Sequence, residues 1–227
     1  MRRWYNRPQK EGRMLDLDPS TLISHLFVLV TAFSVHEFAH AWTANYFGYD
    51  TPRANGRLTL NPLAHLDPIG SLLLLVAGFG WAKPVPVNPY ALRHRSPAAL
   101  MWVSLAGPLS NLLLAILAAI PFRLGLLSVL DAQLAMLSGD SHFLPTLSQL
   151  LYIFIYTNLL LMLFNLLPVA PLDGDKIANY FFPPAWARTL DAIRPYGPVI
   201  LLAVVFLGVL NYIIFPPLRL LMGLLVG

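Results

Sequence analysis

Residues 20–47 read STLISHLFVLVTAFSVHEFAHAWTANYF. Within that run Glu37 is the one side chain charged at neutral pH whatever the state of the histidines. A helix of this length is about 42 Å long, more than the ~30 Å of hydrocarbon in a bilayer. Asp18, Ser20 and Thr21 offer N-caps, and Gly48, Asp50 and Pro52 supply the stop. The stretch therefore predicts a transmembrane helix. The whole chain agrees: of 227 residues 57% are hydrophobic and 11% charged, against roughly 25% charged in soluble domains. Mean hydropathy is +0.63.

Outward from that helix the predicted fold is all-α and polytopic, with about four to six transmembrane helices. Residues 1–19 carry Arg2, Arg3, Arg7, Lys10 and Arg13 among polar neighbours and read as a basic arm rather than a signal peptide. Residues 20–227 form one membrane-embedded domain with its core at about 20–175. Arg57 to Leu60 has turn and short-strand chemistry. The apolar stretch 63–80 is barely long enough to cross and is broken by His65, Asp67-Pro68 and Gly70, so a re-entrant segment competes with a full span. Residues 81–89, WAKPVPVNP, alternate Val with Pro and fit an edge strand or extended loop. Further spans are expected at about 97–122, 147–167 and 197–215, with Pro216-Pro217 breaking the last. The net charge of +4 is too sparse to track nucleic acid phosphates and reads as membrane-flanking Lys and Arg. With no cysteine, any metal must use His, Asp or Glu.

Inside the first span stands His36-Glu37-Phe38-Ala39-His40, an H-E-x-x-H. His36 and His40, one turn apart, share a helix face and can point two imidazoles at one metal, with Glu37 beside them to activate a water. Given six His and two Glu in the chain, chance gives this pattern on the order of one time in a thousand. A buried His pair satisfied by Ser or backbone would leave Glu37 unexplained. Catalytic zinc takes three protein ligands and an open position. The best third candidate is Asp173 in Asn165-Leu-Leu-Pro168-Val-Ala-Pro171-Leu-Asp173-Gly174, where the prolines end a helix. On its own, Asp-Gly after a helix is more often a plain turn, and Asp175 offers a second carboxylate nearby.

These residues resemble the site-2 protease family of intramembrane zinc metalloproteases. That family pairs an HExxH helix with a later N-x-x-P-x-x-x-L-D-G-type segment, and often carries G-P-x-x-N between them. Here the matches are His36 to His40, Asn165 to Gly174, and Gly107-Pro108-Leu109-Ser110-Asn111, in that order and within about residues 20–175. The chain is similar to the compact branch without a PDZ or CBS domain. The resemblance implies zinc on His36, His40 and Asp173, Glu37 as catalytic base, and substrate or transition-state contacts at Asn111 and Asn165. It also implies a membrane-spanning protein substrate and a prokaryotic inner membrane.

Geometry adds a test. For His40 and Asp173 to share one zinc, an even number of crossings must separate them. The spans at 97–122 and 147–167 already make two, so 63–80 must make no net crossing. Residues 48–97 and 171–195 then lie on the active-site side with eight Lys or Arg, while Arg123 lies opposite, which points to a cytoplasmic-side active site. The five charges of the arm pull the other way. His65 and Asp67 are candidates for supporting the metal ligands, in competition with an interfacial turn pair. Two other readings stand beside hydrolysis: a metal-ion carrier or channel using His36, His40 and Asp173 as a transient site, and a zinc-stabilised scaffold without turnover. Glu37 separates them, because transport does not need a carboxylate that is not a ligand.

Overall fold

The computed structural model describes residues 19–65, 67, 83, 85–138 and 143–227. Residues 1–18 of the basic arm, most of the 63–80 stretch and Trp81 lie outside the described residues, while Pro19, counted with the arm, begins the first helix.

Helix α1 (Pro19–Tyr46) is the HExxH helix. Its buried stripe includes Ser20, Ser24, Val28, Ala32, His36, His40 and Ala44, one residue in every four. Small side chains along that stripe let neighbouring helices come close. The helix stops at Gly48, whose φ of +74° suits a residue without Cβ; its N–H donates to Asn45 O at 2.9 Å and Tyr49 N–H to Ala44 O at 3.0 Å.

After a short α2 (Thr51–Ala54) and a 3-10 turn at Pro62–Ala64, the Arg57 to Leu60 run forms no strand. The reason is local. The buried Arg57 guanidinium donates through Nη1 to Ala64 O and, at 3.3 Å, to Lys83 O, and His65 Nε2–H donates to Thr59 O at 2.7 Å. The His65 side chain has taken the Thr59 carbonyl that a strand partner would use. Lys83 N–H also donates to His65 O at 2.7 Å. His65 and Lys83, on either side of most of the undescribed stretch, are therefore in contact.

Pro89 opens α3 (Pro89–Arg95) instead of continuing the extended segment, because Asn88 caps the N–H groups of Tyr90 and Ala91. Next come α4 (Ala99–Arg123), α5 (Val129–Ser138) and α6 (Leu147–Asn165), the last capped by Thr146. α1, α4 and α6 pack against one another. At the far end of α1 the buried Gln149 donates to Ser20 Oγ and Thr21 Oγ1, each at 3.1 Å, a polar clasp between α1 and α6.

α7 (Asp173–Phe181) begins at the Asp-Gly step itself, so those residues start a helix rather than form a plain turn. A Cβ on Gly174 would strike the Leu166 and Leu167 carbonyls, so glycine lets α7 abut the end of α6. The last span is displaced from the expected 197–215. Helix α8 (Pro184–Ile193), a 3-10 turn at Arg194–Tyr196 and α9 (Gly197–Phe206) make one apolar run, Pro184–Phe206. It joins α1, α4 and α6 as a fourth helical stretch long and apolar enough to cross a membrane. Beyond α10 (Leu210–Ile213), Pro216 and Pro217 fall in the first turn of α11 (Phe215–Val226). A first-turn proline has no intrahelical donor to lose, so it starts this helix rather than breaking one. Leu218 and Met222 of α11 then pack with Ala115, Ala119, Phe122, Ile155, Leu159 and Met162 of α4 and α6.

Candidate metal centre

His36 and His40 sit on the buried stripe of α1, six to ten residues before its end. At 1.5 Å per residue His40 lies about 9 Å inside that end. Their Nε2 atoms are 3.0 Å apart. Asp173, in the first turn of α7, brings Oδ2 to 3.3 Å from His36 Nε2 and 3.1 Å from His40 Nε2. Three donors from two elements distant in sequence thus converge, and among the described residues this is the grouping able to hold a metal.

The spacing suits the ion. A tetrahedral zinc with bonds of about 2.0–2.1 Å needs ligand atoms about 3.3 Å apart. Gly107 provides the room: a Cβ there would lie 2.5 Å from His40 Nε2 and 2.6 Å from His36 Nε2, in the space those nitrogens face. His40 Nδ1–H donates to Val103 O of α4 at 2.6 Å, which leaves Nε2 as the lone-pair donor and fixes the ring. His36 Nδ1 is buried without a hydrogen-bond partner.

Glu37 is 9% exposed and accepts Val85 N–H on Oε2 at 3.1 Å. This contact was not foreseen, yet the sequence carried a signal for it. Pro84 and Pro86 have no N–H, so Val85 holds the one backbone donor in that triplet.

Other expected residues separate. Asn111 is fully buried on α4, one turn past Gly107, and its Nδ2 has no partner. Asn165 is half-buried and spends its Nδ2 on Leu161 O at 3.0 Å. His65 serves its own loop through Thr59 O, and neither it nor Asp67 joins the three-residue grouping. Asp175 is not free for a metal, since Arg194 Nε and Nη2 donate to it at 3.0 and 3.4 Å.

With this geometry in view, the sequence profile described as Peptidase family M50 matches residues 24–207, most of the chain. The chain belongs to peptidase family M50. It is 41% identical over 202 residues to YwhC of Bacillus subtilis strain 168, named as a proposed zinc metalloprotease, covering 88% of this chain and 89% of that one. It is 31% identical over 198 residues to Rip2 of Mycolicibacterium smegmatis, similarly named, covering 82% of this chain and 70% of that one. No solved structure matches it. This M50 member is a multi-pass, zinc-dependent intramembrane metalloprotease of the site-2 protease type.

Proposed function

We propose that His36 Nε2, His40 Nε2 and Asp173 Oδ2 hold the zinc, and that Glu37 is the general base for hydrolysis of peptide bonds in membrane-spanning substrates. The observation that carries this reading is the convergence of the three donor atoms from α1 and α7 next to Glu37. Bound there, zinc supplies a Lewis acid that acidifies a water and polarises the scissile carbonyl. Glu37 takes the water's proton on its carboxylate and delivers it to the leaving amine nitrogen. Val85 N–H holds Glu37 Oε2, leaving the second oxygen to carry the proton. Asn111, with a free amide nitrogen on the face of α4 that bears Gly107, is better suited to meet a developing oxyanion than Asn165, whose amide is bound to its own helix.

A substrate helix hides its amides in its own hydrogen bonds and must unwind before attack. Val85 to Asn88 has no regular structure and reaches Glu37, so an extended substrate pairing with it would lie beside the base. The domain is one unit from residue 20 onward, and the active site faces the cytoplasm, the side on which Arg53, Arg57, Lys83, Arg93, Arg95 and Lys176 cluster. The deciding experiment is cleavage of a panel of single-span substrates by wild type and Glu37→Gln, with bound zinc quantified in each. Zinc retained and cleavage lost in Glu37→Gln is the expected result; equal cleavage by both would reject the mechanism. Zinc-dependent ion flux into vesicles unaffected by Glu37→Gln would favour a carrier.

A further inference from the structure

A cavity of about 210 Å³ opens between the α3–α4 corner and α7. Arg93 and Lys176 line it together with Asn179 and Tyr180, over a floor that includes Leu100 and Met101. The two cations come from elements more than eighty positions apart in sequence. Lys176 Nζ lies 3.7 Å from Asp173 Oδ1, the oxygen opposite the one that faces the histidines. Arg93 Nη2 donates at 3.3 Å to the neutral Asn179 side chain, and among the described residues it forms no ion pair. Asp173 faces the two histidines through its other oxygen, so Lys176 shares its carboxylate partner with them and is only partly compensated. The cavity then presents two under-compensated cations above an apolar floor.

We infer that this cleft is a substrate subsite for an acidic side chain: the carboxylate of an Asp or Glu flanking the scissile bond sits between Arg93 and Lys176, with its methylenes on Leu100 and Met101. The inference rests on the protease reading above. It favours substrate over a lipid headgroup because Lys176 touches Asp173 directly, so an occupant of the cleft abuts the reacting peptide. Arg93 supplies the planar fork that grips a carboxylate, and Lys176 a mobile point charge.

The test uses the full-length zinc-loaded protein in phosphatidylcholine vesicles, with and without phosphatidylglycerol. Single-span substrates carry Asp or the isosteric Asn at each position near the membrane surface. At one or two adjacent positions wild type should cut the Asp substrate with a kcat/KM about ten-fold higher than the Asn substrate, the scale of one charge-assisted contact. That ratio should fall close to one in Arg93→Met and in Lys176→Met, and Arg93→Lys should restore part of it. In Arg93→Glu the preference should pass to a Lys-bearing substrate. Arg93 is exposed on a short surface helix, so its variants keep the test alive where Lys176→Met fails to fold. Affinity of the same substrates for zinc-loaded Glu37→Gln gives a second readout without turnover. A binding preference for Asp without cleavage by wild type would reject the protease reading and keep the cleft. Equal binding and cleavage of Asp and Asn substrates at every position would overturn the cleft and leave the protease reading intact. So would a preference that appears only with phosphatidylglycerol, which marks a headgroup site.

Discussion

Gly107 shows how much one missing side chain decides. The G-P-x-x-N element was visible in the sequence, but its first residue carries a consequence that only the packing of α4 on α1 reveals: a methyl group there would stand between the two imidazoles. Gly107→Ala should therefore lose most of its zinc, read by metal analysis of the purified protein, while circular dichroism stays helical. Glu37→Gln should do the opposite, keeping zinc and losing at least about a hundred-fold in kcat. His36, Glu37 and His40 were legible because a helix fixes which residues share a face at spacing four. Asp173 could only be nominated. Its proposed choice over Asp175 is supported by Arg194, which claims the second carboxylate from the next helical segment.

At the scale of elements, the segment through Val85 is the part least readable from sequence. Alternating Val and Pro excluded a helix and left its neighbours unspecified, since contacts across 48 positions leave no local signature. In the fold Arg57 staples it, through Lys83 O, to the 3-10 turn at Pro62–Ala64, and Val85 N–H then reaches Glu37. Val85→Pro removes that one donor with little change in side-chain volume. It should lower kcat with zinc content unchanged, measured in the same cleavage and metal assays, whereas Val85→Ala should keep most of the activity. The α6–α7 junction also differs from the plain turn that an Asp-Gly step suggests on its own. Prolines end α6 as expected, but the N–H groups after Leu172 are free to begin a new helix, and Gly174 supplies the clearance. For the same reason Pro216-Pro217 begins α11, because a proline's effect depends on whether an intrahelical bond was due at that position.

For the whole molecule, the decisive quantity is the number of crossings between α1 and α7. Arg53 and Tyr180 should lie on one side of the membrane and Leu126 on the other. The chain has no cysteine, so single Cys replacements at these three exposed positions, labelled with an impermeant thiol reagent, report sidedness without background. A shared label for 53 and 126 would break the topology. On the proposed ligand set zinc would bridge α1 and α7 and bind the folded state alone, so a chelator should lower the melting temperature and re-added zinc restore it, with smaller shifts in His40→Ala. By itself the sequence determined the membrane class, the all-α spans and the histidine pair, because hydrocarbon forces backbone hydrogen bonds into helices and helical periodicity fixes which side chains point together. Tertiary structure alone brought the Asp173 carboxylate to the histidines, gave Glu37 its partner, and made the space at Gly107 and the cation-lined cleft. Those depend on contacts between segments far apart in the chain, and such contacts are set by how whole helices pack.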